Sequence, residues 1–123
     1  MTWKTLTRTA LIDALAQQPS SFRLLDIRSK EQFDSVHIAA SQHYDCLRLR
    51  CFAEQTAYNT PIVLICRRGR TSCHAAAWFD QLGFSAVYSL EDGIEGMQQH
   101  APEWLIGAES DRSETPNEER CSP

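Results

Sequence analysis

"PIVLICRRGRTSCHAAAWFDQLG", residues 61–83, runs from an unbroken aliphatic stretch into a cysteine, three arginines around a glycine, and a helical pattern. Ile62, Val63, Leu64 and Ile65 show no polar alternation, the mark of a strand covered on both faces in the middle of a parallel sheet. Gly83 supplies a helix stop. Outward from this segment, strands and helices alternate. Thr7 is placed to cap a helix whose apolar residues Ala10, Leu11, Ala14 and Leu15 share one face, with Pro19 and the two serines after it ending the helix. "FRLLDI", 22–27, is a short strand, and "SKEQFDSVH", 29–37, a short helix with Ser29 and Gln32 spaced as a capping box. "IAAS", 38–41, is a brief strand, and "DCLRLRCFAE", 45–54, a helix with Cys46, Leu49 and Phe52 inward. "AVYSL", 86–90, is a further strand. "EDGIEGMQQH", 91–100, is a last helix despite two glycines. The alternation predicts an α/β fold: a central, mostly parallel sheet of about five short strands with helices on both faces. Ligands of such sheets lie beyond the carboxyl ends of the strands.

The 123 residues are one domain's worth, and an apolar fraction of 42% suits a packed core. Formal charge is −4, of which "AESDRSETPNEERCSP", 108–123, holds −3 through five acids and two arginines. We therefore expect a domain over 1–107 and an acidic, disordered tail over 108–123, which carries too little apolar surface to offset the entropy of ordering. The first twenty residues contain no uninterrupted apolar h-region, because Asp13 breaks the best one. No window approaches 18 apolar residues. Five cysteines, an odd number without dense spacing, favour reduced thiols. A cytoplasmic protein is expected, with no membrane partner. Trp3, Trp78 and Trp104 are too scattered for a nucleic-acid stacking platform, so no nucleic acid is expected either.

Cys66 falls at the carboxyl end of the most buried strand, and the next helix starts near Thr71 or Ser72. "RRGR" must turn tightly between them, which Gly69 permits. Successive amides in such a turn can form an anion-binding nest, and the positive end of the helix adds to the same field. Arg67, Arg68 and Arg70 bring three permanent charges. Each feature favours thiolate over thiol, and together they can lower a cysteine pKa from about 8.5 toward ~3.5–7.5. Thr71 and Ser72 are expected to cap the helix and to donate to a bound sulfur. A cysteine seen alone at the end of a buried strand is usually a small core residue. Strand, cysteine, glycine turn, basic residues and helix in this order read instead as a reactive site.

Three segments together resemble the rhodanese family. "LLDIRSKEQFDSVHIAAS" is similar to its strand, Asp-x-Arg, short helix with an aromatic and His-Ile. "ICRRGRTS" resembles its active-site loop, and "LGFSAVYSLEDGIEGM" the segment closing the domain. The likeness spans residue 5 to about residue 100 and is to short, single-domain bacterial thiosulfate sulfurtransferases. It implies that Cys66 takes a sulfane sulfur from a donor, becomes a persulfide and passes the sulfur on. Arg67, Arg68, Gly69, Arg70, Thr71 and Ser72 would bind substrate. The donor would be a small anion, the acceptor cyanide, a thiol or a thioredoxin-like protein. No cofactor is implied, and a monomer or weak dimer is expected. Thiosulfate, a small dianion, suits guanidinium groups and backbone amides. The chain departs from the family in having Ala39-Ala40 where Pro-Gly is frequent, and Asp92-Gly93 then Met97 where Gly-Gly and a Trp are frequent.

Rival readings are a Cys-dependent phosphatase or arsenate reductase and a persulfide carrier or non-catalytic module serving a protein partner. The former need Cys-x5-Arg, and the seventh position from Cys66 is Ser72. The latter share the loop and stay open on sequence. Cys73 reads as a small residue packed on the sheet rather than a resolving thiol. His37 reads as a loop anchor, Asp26 with Arg28 as a structural pair, and Arg48 and Arg50 as a solvated helix face. Cys46, Cys51 and His74 lack ligand spacing, so no metal is expected.

Overall fold

The computed structural model describes residues 3–17 and 22–107; the expected helix stop at Pro19 and the acidic segment 108–123 fall outside them. In chain order the elements are β1 (Lys4–Leu6), α1 (Arg8–Gln17), β2 (Arg23–Asp26), α2 (Lys30–Ser35), β3 (His37–Ile38), β4 (Ser41–His43), α3 (Cys46–Gln55), β5 (Ile62–Ile65), α4 (Thr71–Leu82), β6 (Val87–Leu90) and α5 (Gly93–His100). A 3-10 turn, Pro102–Trp104, and β7 (Leu105–Ile106) follow. The main sheet has the order β1-β6-β5-β2-β4, with every pair parallel.

β5 is flanked by β6 and β2, and all four of its residues are buried. Side chains alternate across a strand, so its aliphatics divide between two cores. Val63 and Ile65 pack with Leu11 and Leu15 of α1 and Ile94 and Met97 of α5. Ile62 and Leu64 pack with Phe52 and Ala53 of α3 and Ala76 and Phe79 of α4. Helices therefore cover both faces, which is why the run could dispense with polar residues.

Several local expectations hold because they rest on near neighbours. Ser29 Oγ accepts from the Gln32 amide while the Gln32 side chain accepts from the Ser29 amide, a complete capping box. Thr7 Oγ1 accepts from the Ala10 amide. Gly83, at φ 111°, ends α4. Others are corrected. β1 lies at one edge of the sheet in a polar segment that carries no strand pattern. "IAAS" is two strands: Ala39-Ala40 turns, β3 pairs antiparallel with β7, and β4 joins β2. Cys46 is exposed, whereas the expected Phe52 is buried together with Ala53 and Leu49 packs partly buried against the same core. Ala10 is likewise exposed.

Asp26, at the carboxyl end of β2, is fully buried and held by the half-fork of Arg28, with Nε 3.0 Å from Oδ1 and Nη2 2.9 Å from Oδ2. The same Nη2 donates to the Val36 carbonyl. A carboxylate this deep persists only when paired and hydrogen-bonded. His37 stacks on Phe33 with Nδ1 2.7 Å from the Phe33 carbonyl oxygen, so it anchors the α2–β3 corner.

Candidate active site

At the carboxyl end of β5 the chain leaves the sheet through Cys66 and returns as α4 after four residues. The turn closes on the sulfur. The amides of Gly69 and Ser72 point at Cys66 Sγ from 3.1 and 3.3 Å, and Ser72 Oγ lies 3.3 Å from it. The first amides of a helix have no intrahelical acceptor; in α4 the sulfur takes one of them. The expected capping by Thr71 and Ser72 is corrected accordingly: Arg70 is the cap residue, in αR backbone without a side-chain cap bond. The Ser72 hydroxyl is turned to Cys66 and, at 2.6 Å, to the buried Ser89 Oγ.

The neighbouring helix holds the first two peptide planes of the loop. The carbonyls of Cys66 and Arg67 accept from the amides of Ile94 and Glu95 at 3.0 Å each. The N-terminus of α5 thus satisfies its own donors on the loop's carbonyls and fixes the peptide planes that carry the Arg67 and Arg68 amides, the second of which donates to the sulfur. The approach demands two glycines. Gly69 has φ 90°, and a Cβ there would stand 2.1 Å from the Glu91 carbonyl oxygen. Gly93 has φ 61°, and a Cβ there would stand 2.4 Å from the Cys66 carbonyl oxygen. The glycine that disfavours α5 as a helix is the one that lets it dock.

Burial pushes the Cys66 thiol up. Hydrogen bonds from the Ser72 hydroxyl, the Ser72 amide and the amides of Gly69 and Arg68 outweigh it, and the thiol titrates below its ordinary value. Of the expected sources of the field, the cradle of N–H and O–H donors produces the lowering, while the arginines stand at the rim of the hollow. Arg67 Nε and Arg68 Nε lie 3.2 and 3.4 Å from the two carboxylate oxygens of Glu95, and Arg70 is exposed. The folded state holds the thiol proton less tightly than the unfolded chain. The group therefore contributes stability that is present above the unfolded thiol's pKa and lost as pH falls through the folded one. Alkylation of the Cys66 peptide by iodoacetamide, followed by mass spectrometry, is expected to reach half its maximal rate at lower pH in the folded protein than in the urea-unfolded chain, where thiols titrate near ~8.5.

Cys66 is only 5% exposed, yet it lies on the floor of an open hollow of about 330 Å³ lined also by Ile27, Arg28, Gln32, Arg67, Arg68, Arg70 and Thr71. All six expected loop residues are brought to the cysteine, with Ser72 and Gly69 behind the sulfur and the arginines at the rim. Sequence reasoning missed Ser89, Glu95, Gly93 as docking residue, and Gln32 as part of the wall. Ser89 left one signal, a hydroxyl inside an otherwise apolar strand. Cys73 is half-buried on α4, with Sγ 3.1 Å from the Gly69 carbonyl oxygen, in keeping with a packed residue.

Residues 7–100 match the model of the rhodanese-like domain family. The thiosulfate sulfurtransferase GlpE of Pseudomonas aeruginosa (strain LESB58) is 36% identical over 91 residues, covering 74% of this chain and 83% of that protein. Among solved structures, the rhodanese-like domain of an Anabaena protein superposes with a TM-score of 0.76 at 18% identity, over 91% of this chain and 83% of that one. A Bacillus halodurans protein gives 0.75 at 21% identity, over 95% and 88%. At these identities the structural likenesses speak for the fold.

Proposed function

The chain belongs to the rhodanese-like domain family, and from that premise we propose that it is a sulfurtransferase working through a persulfide on Cys66. The Cys66 thiolate attacks the outer sulfur of thiosulfate or a similar sulfane donor. A new S–S bond forms as the donor's own S–S bond breaks, and sulfite leaves with the electron pair. An acceptor such as cyanide or a thiolate then attacks the terminal sulfur, the Cys66 S–S bond breaks, and the thiolate is regenerated. The observation that carries this reading is the convergence of two amides and a hydroxyl on one sulfur at the foot of a hollow rimmed by arginines. Donors fixed in advance stabilise negative charge on sulfur without reorganising. The sequence speaks against a phosphatase, since the position from which a guanidinium would grip phosphate is Ser72.

Incubating the protein with thiosulfate should add the mass of one sulfur atom to the Cys66 peptide, and cyanide should remove it as thiocyanate. No adduct from thiosulfate or any small sulfane donor, with the fold intact, would point to a module fed by a protein partner.

Glu95 adds a specific expectation. Its carboxylate occupies both Arg67 and Arg68, the charges a donor anion needs. Exposed ion pairs contribute up to about 1 kcal/mol, and ~1.4 kcal/mol is tenfold in affinity. Glu95→Gln should lower KM for thiosulfate by about threefold to tenfold with kcat within about twofold. Steady-state kinetics at fixed cyanide reads both, and an unchanged or raised KM would show that the two arginines do not meet the donor.

A further inference from the structure

Behind the sulfur, hydroxyl groups continue into the sheet. Ser72 Oγ stands 3.3 Å from Cys66 Sγ and 2.6 Å from Ser89 Oγ, and Cys73 Sγ lies 3.7 Å beyond Ser89 Oγ. Ser72 and Ser89 are each 0% exposed. We infer that Ser89, a residue of β6 outside the loop, is a positioning residue for Cys66: by donating its hydroxyl to Ser72 Oγ it fixes the Ser72 hydroxyl as a donor to the sulfur. This rests on the reading of Cys66 as the reactive thiol.

A hydroxyl carries one proton. The short Ser72–Ser89 contact uses one proton, and either serine can supply it. With Cys66 ionised, the Ser72 proton belongs to the anion, so Ser89 must fill the oxygen of Ser72 with its own. The two hydroxyls then run in one direction, Ser89 to Ser72 to sulfur. A chain of hydrogen bonds ending on a charge polarises along its length, and each link strengthens the next in a dry surrounding. Neither serine is exposed to water that could replace the missing link. Ser89 does not line the hollow, and its hydroxyl meets Ser72 at 2.6 Å and Cys73 at 3.7 Å, so the stronger path to the sulfur runs through Ser72.

The test is a double-mutant cycle read on the pH profile of Cys66 alkylation, with Ser89→Ala, Ser72→Ala and the double variant. The charged groups around the sulfur remain in every variant: Arg28 after β2, Arg67, Arg68 and Arg70 in the loop, and Glu95 on α5. Cys73 on α4 remains too. A moved midpoint therefore reads the hydroxyls. Ser89→Ala should raise the midpoint by about 0.3–1 pH unit, a twofold to tenfold slower alkylation below both midpoints. In the Ser72→Ala background the same change should move it no further, because the path is already cut. An unmoved midpoint in Ser89→Ala, whatever happens to its melting temperature, overturns the inference. So does an equal shift in both backgrounds. The midpoint is measured without any sulfur donor, so failure of persulfide formation would strike the sulfurtransferase reading and leave this one standing.

Discussion

In Cys66→Ser, thiocyanate formation from thiosulfate and cyanide is expected to fall by at least ~10³-fold, to the background of the uncatalysed reaction, while the fold survives. The loss has two causes. A serine hydroxyl stays protonated at any pH the protein tolerates, and donors that lower a thiol's pKa cannot make an alkoxide of an alcohol. The reaction also stores the transferred sulfur in an S–S bond, and oxygen at this position has no equivalent of comparable stability. The cradle itself should persist, because the Arg68 amide shares its peptide plane with the Arg67 carbonyl that α5 holds and the Ser72 amide is fixed by the start of α4, neither of them by the sulfur. An oxygen in place of sulfur is smaller and leaves the amide contacts somewhat long, so a melting temperature within a few degrees of wild type is expected. Cys51→Ser serves as the control, since Cys51 is exposed on α3, away from the loop. Wild-type turnover in Cys66→Ser, or loss of turnover in Cys51→Ser instead, would remove Cys66 from the reaction.

The parts of this site that could be read in the sequence are those made by residues close together in it. Strand, cysteine, glycine and helix start lie within twelve residues, and burial of β5 on both faces erases polar alternation there, which marks it as central. The Ser29–Gln32 capping box spans four residues and is likewise visible. Ser89, Gly93 and Glu95 follow Cys66 by more than twenty residues, and only the parallel pairing of β5 with β6 brings them to the loop. Nothing local in "LEDGIEG" says that its amides will meet the carbonyls of Cys66 and Arg67. The arginine charges are visible in the sequence, but the pairing of Arg67 and Arg68 with Glu95 is not, because Glu95 lies on α5. β1 was missed for a related reason: its three residues are a strand because β6 offers an edge, and "KTL" alone has no apolar pattern to show it. β3 and β7, two residues each, form only because each supplies the other's partner.

Gly93→Ala separates the role of that docking from the chemistry of the sulfur, and it is expected to cost about 2–5 kcal/mol of stability together with more than tenfold of sulfur transfer. Two costs add. A side chain at φ 61° carries roughly 1–2 kcal/mol of backbone strain. Its Cβ would also stand 2.4 Å from the Cys66 carbonyl oxygen and 2.5 Å from that of Arg67, and relieving such overpacking by moving backbone costs about 1–3 kcal/mol more. The relief is what damages function. Both clashing atoms are the carbonyls that accept from Ile94 and Glu95, so α5 must draw back from the peptide planes that carry the Arg67 and Arg68 amides, the second a donor to the sulfur. With those planes free to rotate, the thiol should lose part of its lowering, and the midpoint of Cys66 alkylation should rise along with the loss of activity. Gly83→Ala isolates strain from collision. Gly83 has φ 111°, but a Cβ there would meet only the Tyr58 ring at 3.7 Å, and the residue ends α4 at its far end from the loop. It should cost about 1–2 kcal/mol with turnover and alkylation midpoint unchanged. Urea unfolding, thiocyanate assay and alkylation profile on both variants decide the matter. If Gly93→Ala is destabilised no more than Gly83→Ala, or keeps its midpoint and turnover while losing stability, then contact with α5 is not what aims the Arg68 amide at Cys66.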